Sequence, residues 1–159
     1  MSPRPLPPRR LVPLALALVP LALAVAGCTD DQDPEGAAEL WDRVHAEGYQ
    51  SWQRAPGYES RRPTDAPHAD EVEIFVNPAV EGALAGPAIT SWPVGSIIAK
   101  DGYADGEIDL VALMEKRSDG WFWAEYDAEG ESSYSGKPDL CIDCHSSGAD
   151  LVRAFGFPQ

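Results

Sequence analysis

The chain has 159 residues, with 26 acidic and 12 basic side chains and a formal net charge of −14. This length supports one domain with one hydrophobic core rather than two. The negative charge repels phosphate backbones, which argues against nucleic acid as a partner and favours cationic partners. Solubility alone is the simpler explanation of the charge, and we prefer it to a specific docking surface.

The first 27 residues have the layout of an export signal. Three arginines precede an apolar run at residues 11–26, which is too short and too broken by prolines for a membrane span. Small residues stand directly before Cys28, which resembles the lipobox of bacterial lipoproteins, where that cysteine becomes the lipidated first residue. An ordinary cleavage that leaves Cys28 as a free thiol, or an uncleaved anchor, is the alternative. We expect an exported, periplasm-facing lipoprotein held on a membrane by its lipid anchor only.

Removal of residues 1–27 as a signal peptide makes the protein more acidic. Three arginines and no acidic residue are lost, so the net charge falls from −14 to −17. Residues 28–38 are polar and acidic, and they predict a flexible tether. Residues 39–159 are the predicted folded domain.

The folded part begins with a predicted helix. Apolar residues near helical spacing predict a helix over residues 37–52 that is broken at Gly48. The next stretch, QRAPGYESRRPTDAPHAD, contains three prolines and a glycine and is predicted to be loop.

Period-two apolar patterns from Glu71 onwards predict antiparallel strands. EVEIFVN is the first strand, with Phe75 on the face opposite Val72, Ile74 and Val76. PAVEGALAG predicts a short helix, and two apolar runs, SIIAK and IDLVALMEK, flank a glycine-containing loop as in a β-hairpin. GWFWAEYD predicts a further strand, and AEGESSYSG predicts a turn. The predicted fold class is therefore α+β and β-dominated, an antiparallel sheet with a few short helices.

The segment CIDCH near the C-terminus carries the strongest chemical signal. With Cys28 assigned to lipid, Cys141 and Cys144 are the remaining thiols, so no other disulfide is possible. A zinc site would need two further good ligands, and a redox dithiol usually lies early in a βαβ unit. Two cysteines three apart on a helical turn can form thioethers to one haem edge, and His145 then presents its imidazole to the iron. We predict one covalent haem c on this C-terminal haem-attachment segment, with zinc and a redox dithiol as alternatives.

The sixth position on the iron separates electron transfer from small-molecule binding. Met114 is the only methionine outside the signal peptide, and its strand pattern predicts a core side chain in register with Ile108, Leu110 and Ala112. His45 and His68 are predicted to be surface or hydrogen-bonding histidines. We therefore expect an open distal side.

The succession of motifs resembles the cytochrome P-460 family, which includes the cytochromes c′-beta. VEIFVNPA, WPVGSIIAK, LMEK, GWFWAEYDAEGE, GK and CIDCHSSGADLV follow one another between about His68 and Val152. The resemblance implies a β-sheet-dominated c-type cytochrome, usually a homodimer, with five-coordinate haem and an open distal pocket. Family members bind nitric oxide or oxidise hydroxylamine. Carried onto this chain, Cys141 and Cys144 are the thioether residues and His145 is the axial ligand.

One departure from the family concerns a lysine. Hydroxylamine-oxidising members have an additional covalent bond from a lysine to the haem macrocycle, which we expect on the strand that corresponds to EVEIFVN. That strand has no lysine here, and the lysines of the chain are Lys100, Lys116 and Lys137. The departure favours the cytochrome c′-beta type, whose distal side is lined by apolar aromatics, and makes Phe75 a candidate distal-pocket residue.

Two strand carboxylates, Glu115 and Glu125, are candidate catalytic bases. Oxidation of a nitrogen hydride requires proton removal by a positioned base, although most strand carboxylates simply face solvent. The aromatic residues of GWFWAEYD are predicted to lie in the core and the dimer interface. The predicted function is binding of a small nitrogen-oxide ligand such as nitric oxide. A hydroxylamine-oxidising enzyme and a six-coordinate electron-transfer cytochrome with a redox partner protein are the alternatives.

Overall fold

The computed structural model describes residues 32–65 and 67–158. The predicted signal peptide, the predicted lipid attachment at Cys28 and the start of the predicted tether lie outside the described residues. Within the described ranges, no helix combines the length and the apolar character that a membrane crossing requires.

The described residues contain three short α-helices: α1 (Pro34–Ala46), α2 (Pro78–Leu84) and α3 (Asp139–His145). The helix α1 ends before Gly48, which has a φ of 64°, a left-handed conformation that costs glycine little. A single 3-10 turn follows at Tyr49–Ser51. The predicted break at Gly48 is confirmed. The helix starts earlier than predicted, and residues 34–38 of the predicted tether belong to it, because the Asp33 side chain accepts a hydrogen bond from the Gly36 N–H.

Seven strands form one antiparallel sheet in the described residues. They are β1 (Gln53–Arg54), β2 (Arg62–Pro63), β3 (Glu71–Val76), β4 (Ile97–Ala104), β5 (Glu107–Arg117), β6 (Gly120–Asp127) and β7 (Ser132–Gly136). Their order is β1-β3-β4-β5-β6-β7, and β2 also pairs with β3. The α+β, β-dominated fold class is thereby confirmed. The strands β1 and β2 fall in the predicted loop and β7 falls in the predicted turn, because none of these short segments has a period-two apolar pattern.

Each face of the sheet carries its own hydrophobic cluster, since alternate side chains of a strand point to opposite faces. The first face packs against α1 and holds Phe75, Leu113 and the buried helix residues Leu40 and Val44. The second face is covered by α2 and the C-terminal segment, and its buried residues include Val72, Ile74, Val76, Met114, Trp123, Val152 and Phe155. The predicted separation of Phe75 from its apolar neighbours on β3 is confirmed.

A bulge in β5 changes the register of the hairpin. Gly102 pairs with Leu110 but Tyr103 pairs with Ile108, so Asp109 is an extra residue in β5. Ile108 therefore packs on the first face, whereas Met114 is buried on the second face. The predicted burial of Met114 is confirmed, and the predicted common face with Ile108 is wrong because the bulge reverses the alternation.

Asp101 is a buried carboxylate in β4, on the face that packs against α1. It has no exposed surface, and it accepts hydrogen bonds from the Tyr49 hydroxyl at 2.8 Å and the Gln50 amide at 2.7 Å. Burial raises the pKa of Asp101 above its ordinary value, although the two hydrogen bonds act in the opposite direction. A raised folded-state pKa contributes stability below the unfolded-state pKa, and this contribution is lost as pH rises through the folded-state pKa.

Asp101→Asn is accordingly expected to reduce the pH dependence of the free energy of unfolding. Between about pH 3 and pH 7, the wild-type protein should lose stability relative to the variant, because the variant has no charge to bury. Urea unfolding at a series of pH values measures the difference. The control Asp109→Asn removes an exposed carboxylate of β5 and should follow the wild-type profile. A constant difference between wild type and Asp101→Asn across this pH range would contradict the expectation.

Candidate functional site

The second face of the sheet and the C-terminal segment enclose an open pocket with a cavity volume of about 340 Å³. This is within the range of roughly 300–1,000 Å³ that is common for cofactor and ligand sites. The polar residues that line it are His68, Lys100, Glu125, Tyr134, Cys141, Cys144, His145 and Arg153. All three residues of the predicted haem-attachment motif therefore face one cavity.

Two neighbouring rows of paired residues form the floor of the pocket. In the first row, Lys100 pairs with Ile74 on one side and Ala112 on the other, and Ala112 pairs with Glu125. The second row consists of Ile98, Met114 and Trp123, which pair in that order across β4, β5 and β6. Because the small Ala112 separates Lys100 from Glu125, the floor is open between two charged side chains.

The helix α3 brings the two cysteines to the pocket. Cys141 and Cys144 are three residues apart in this helix, a spacing that places side chains on one helix face, as predicted. Neither forms a disulfide; Cys141 is half-buried and Cys144 is exposed. Burial raises the pKa of the Cys141 thiol.

His145, the last residue of α3, is oriented by two contacts. Its Nδ1 lies 2.9 Å from the Leu151 carbonyl oxygen, and its ring meets the Trp123 ring edge-on with centroids 4.7 Å apart. A carbonyl can only accept, so Nδ1 donates and the neutral ring carries its lone pair on Nε2. Burial lowers the pKa of His145, which favours this neutral form. An imidazole with a free Nε2 and a hydrogen-bonded Nδ1 is the usual state of a metal-ligating histidine.

His68 also lies in the pocket, although the sequence predicts a surface or hydrogen-bonding histidine. Its Nδ1 is 2.8 Å from Glu125 Oε2, and its ring centroid is 6.5 Å from that of His145. The loop that carries it packs closely on the sheet, since a Cβ on Gly102 would lie 2.5 Å from the His68 carbonyl oxygen. A glycine within a strand is the only local sign of this close approach, and it does not identify the loop that approaches.

Lys100, Tyr134 and Arg153 are the other polar residues of the pocket that the sequence does not assign to a site. Burial lowers the pKa of the Lys100 ammonium group to about 8, against the attraction of Glu125. The period-two pattern predicts a strand at IIAK, but it does not identify the face of the sheet on which the pocket lies.

Two candidate site residues do not line the pocket. Phe75 lies on the first face of the sheet, edge-on to Tyr49 with ring centroids 5.8 Å apart and beneath the Arg54 guanidinium. Glu115 also lies on the first face, paired with Ile97 and Phe122, and its carboxylate is bound by Arg43 at 2.6 Å and Arg117 at 2.8 Å. Neither residue therefore lines this pocket, contrary to the expectation from the sequence.

Glu125, in contrast, lines the pocket as a candidate base must. Met114 lines it as well, while His45 is exposed on α1 and its Nδ1 lies 2.8 Å from the Trp41 carbonyl oxygen. Met114 and Glu125 are therefore the two candidates from the strands that can act in this cavity.

Comparison of the chain with protein-family models and with curated proteins gave no match. The interpretation of the pocket therefore depends on its geometry and on the sequence motifs.

Proposed function

We propose that this chain is an exported c-type cytochrome similar to the cytochrome P-460 family, which binds a small nitrogen-oxide ligand such as nitric oxide. Cys141 and Cys144 would hold one covalent haem, and His145 would be the axial ligand of its iron. The haem would supply an iron centre that binds diatomic ligands. The proposal includes lipid attachment at Cys28 on the periplasmic side of a membrane, and a homodimer.

The observation that carries the proposal is the orientation of His145 beside two thiols in one largely apolar cavity. The Nδ1 atom of His145 is engaged by a backbone carbonyl, which leaves Nε2 for a metal. Both thiols reach the same cavity from one face of α3, as attachment to one haem edge requires. Apolar walls of the kind formed by Ile74, Ile98, Trp123 and Val152 suit a large planar macrocycle.

The other chemistries of CIDCH have less support. Among residues 32–65 and 67–158, no group of three or more His, Cys, Asp or Glu side chains is arranged to hold a metal ion. A redox dithiol needs a reactive thiolate. Burial raises the pKa of Cys141 against this role, so of the two thiols only the exposed Cys144, which accepts a hydrogen bond from Arg153 at 3.3 Å, suits it. Covalent attachment of haem requires neither a group of three or more protein ligands nor a thiolate of low pKa.

The visible absorption spectrum of protein matured with c-type haem machinery tests the proposal. We expect a high-spin iron in the isolated and reduced protein, and a spectral response to nitric oxide. A low-spin spectrum without such a response would contradict the open site. The absence of any haem spectrum would contradict the cofactor and favour zinc or dithiol chemistry.

Met114→Leu is expected to leave the visible spectrum unchanged in both oxidation states. Met114 is packed between its cross-strand neighbours Ile98 and Trp123, and the substitution nearly conserves volume, so stability should fall by less than about 1.5 kcal/mol. Leucine cannot ligate iron. A change from a low-spin to a high-spin spectrum in this variant would identify Met114 as a ligand and support a six-coordinate electron carrier.

Hydroxylamine oxidation is a second candidate function, and Lys100 is the observation that favours it. The expected position of the cross-linking lysine, the strand β3, has none, but Lys100 on β4 pairs with Ile74 of that strand and lines the cavity. Glu125 faces the same cavity and is hydrogen-bonded to His68, which makes it a positioned proton acceptor. A strongly red-shifted band in the reduced protein would indicate a cross-linked macrocycle and favour this function.

Glu125→Gln is expected to lower the rate of hydroxylamine-dependent dye reduction by about 100-fold or more, since general bases contribute roughly that much. Nitric oxide binding should persist, because it requires no proton transfer. The matched control is Glu115→Gln, which alters a carboxylate on the opposite face of the sheet and should retain the rate per bound haem. Equal rates in wild type and Glu125→Gln would exclude Glu125 as the base. Lack of turnover in the haem-loaded wild type would leave ligand binding as the function.

A further inference from the structure

Residues 149–152, shortly after the end of α3, form a tight turn that contacts the Nδ1 side of the His145 ring. Asp150 and Leu151 both have left-handed backbone conformations, with φ values of 49° and 67°. Such a conformation costs a non-glycine residue about 1 kcal/mol or more and persists only where its surroundings enforce it. Ala149 and Val152 close the turn with reciprocal backbone hydrogen bonds of 2.9 and 3.2 Å. This turn directs the Leu151 carbonyl at Nδ1 of His145.

Asp150 connects the turn to two strands and a loop. Lys116 of β5 donates to both carboxylate oxygens of Asp150, at 2.9 and 2.8 Å. The Ser91 hydroxyl and the Trp92 backbone N–H donate to Oδ2 at 2.8 and 2.9 Å. The indole N–H of Trp121, on β6, donates to the Asp150 carbonyl at 2.7 Å. These contacts supply the surroundings that enforce the left-handed turn.

The ion pair in this network is largely shielded from solvent. The Lys116 and Asp150 side chains are only 14% and 19% exposed. The Lys116 ammonium also lies 5.3 Å from the centroid of the Trp121 ring. Because removal of one partner leaves the other charge poorly hydrated, loss of either side chain should perturb the turn more than loss of an exposed pair.

We infer that Lys116 and Asp150 are positioning residues for His145, which set the hydrogen bond between its Nδ1 and the Leu151 carbonyl. The inference rests on the proposed function, in which His145 is the iron ligand. A hydrogen bond accepted from Nδ1–H fixes the tautomer and makes the imidazole a stronger electron donor to a metal. Substitution of Lys116 or Asp150, neither of which lines the cavity, should loosen the turn and therefore weaken the bond between iron and histidine.

Two substitutions separate this role from simple structural support. Asp150→Asn keeps an acceptor for the Trp92 N–H and suits the left-handed backbone, which asparagine tolerates, but it removes the charge paired with Lys116. Lys116→Met removes the donor and keeps an unbranched side chain. In both variants, resonance Raman spectra of the ferrous haem-loaded protein should show the iron–histidine stretching band at lower frequency. The midpoint potential should rise, since a weaker donor stabilises the oxidised iron less.

Two further variants serve as controls. Lys116→Arg retains a cation that can bind both carboxylate oxygens, so this variant should have the iron–histidine band and the midpoint potential of the wild type. Lys137→Met removes the exposed ion pair with Asp119, whose atoms are 2.7 Å apart, and should change neither readout. An unchanged band and an unchanged potential in folded, haem-loaded Asp150→Asn and Lys116→Met would overturn the inference.

The inference and the proposed function can fail separately. If the wild-type protein carries no haem, the function fails, and nitrogen NMR of the full chain then reports the tautomer of His145 directly. The inference expects the Nδ1-protonated tautomer in the wild type and a mixture of tautomers in Asp150→Asn and Lys116→Met. The same tautomer population in all three proteins would overturn it. If the iron is six-coordinate, the midpoint potential remains the readout, because it does not require an open site.

Discussion

Replacing both Cys141 and Cys144 with serine is expected to abolish all covalently bound haem. Only thiols can form the two thioether bonds, and both thiols lie on the face of α3 that meets the cavity. The fold should survive, since Cys144 is exposed and Cys141 is only half-buried. Each single substitution leaves one thiol at the cavity and should retain haem through one bond.

Haem that remains on the polypeptide after denaturation, and the corresponding gain in mass, measure this prediction. The control is Cys28→Ser, which should retain the full haem content and lose membrane attachment, because lipid attachment is proposed at Cys28. Equal haem content in wild type and in the double variant would show that the cysteines do not attach the cofactor. Loss of haem in Cys28→Ser would show that the three thiols are not divided as the sequence predicts.

The sequence predicts those parts of the site whose geometry is set by residues close together in the chain. The spacing of Cys141, Cys144 and His145 fixes their relation within one helical turn, whatever the rest of the chain does. The strands β3 to β6 follow from period-two apolar patterns in the same local way. A prediction of this kind needs no knowledge of how distant segments pair.

The rest of the site depends on pairing between distant segments. Lys100 and Glu125 meet in one cavity only because β4, β5 and β6 pair in a particular register, with Ala112 between them. His68 joins them from a loop without periodicity, 57 residues before Glu125. The extra residue Asp109 reverses the alternation within β5, and alternation is the pattern from which faces are predicted. Long-range register therefore limits what the sequence predicts.

Phe75 illustrates the same limit, because the strand pattern does not show which face of β3 forms the pocket. Its substitution by alanine is expected to lower the free energy of unfolding substantially. The side chain is 1% exposed in the cluster between the sheet and α1, and truncation of such a residue typically costs about 3–5 kcal/mol. Ligand binding by the haem-loaded protein should be unchanged, because Phe75 faces away from the cavity. Ile74, its neighbour on β3, lines the cavity, so Ile74→Ala should alter the rate of nitric oxide binding.

Urea unfolding gives the loss of stability, and stopped-flow absorbance gives the rate of nitric oxide association. Phe75→Leu is the milder variant for the rate measurement, because it keeps an apolar side chain and a larger folded population than Phe75→Ala. Substitution of a distal-pocket residue would change the association rate and leave the free energy of unfolding largely intact. Substitution of a residue on the α1 face would lower the free energy of unfolding and leave the association rate unchanged. If Phe75→Leu changes the association rate more than Ile74→Ala does, the haem lies on the face of the sheet that packs against α1, and the assignment of the cavity is wrong. The comparison of these adjacent side chains therefore tests which face of β3 forms the ligand pocket.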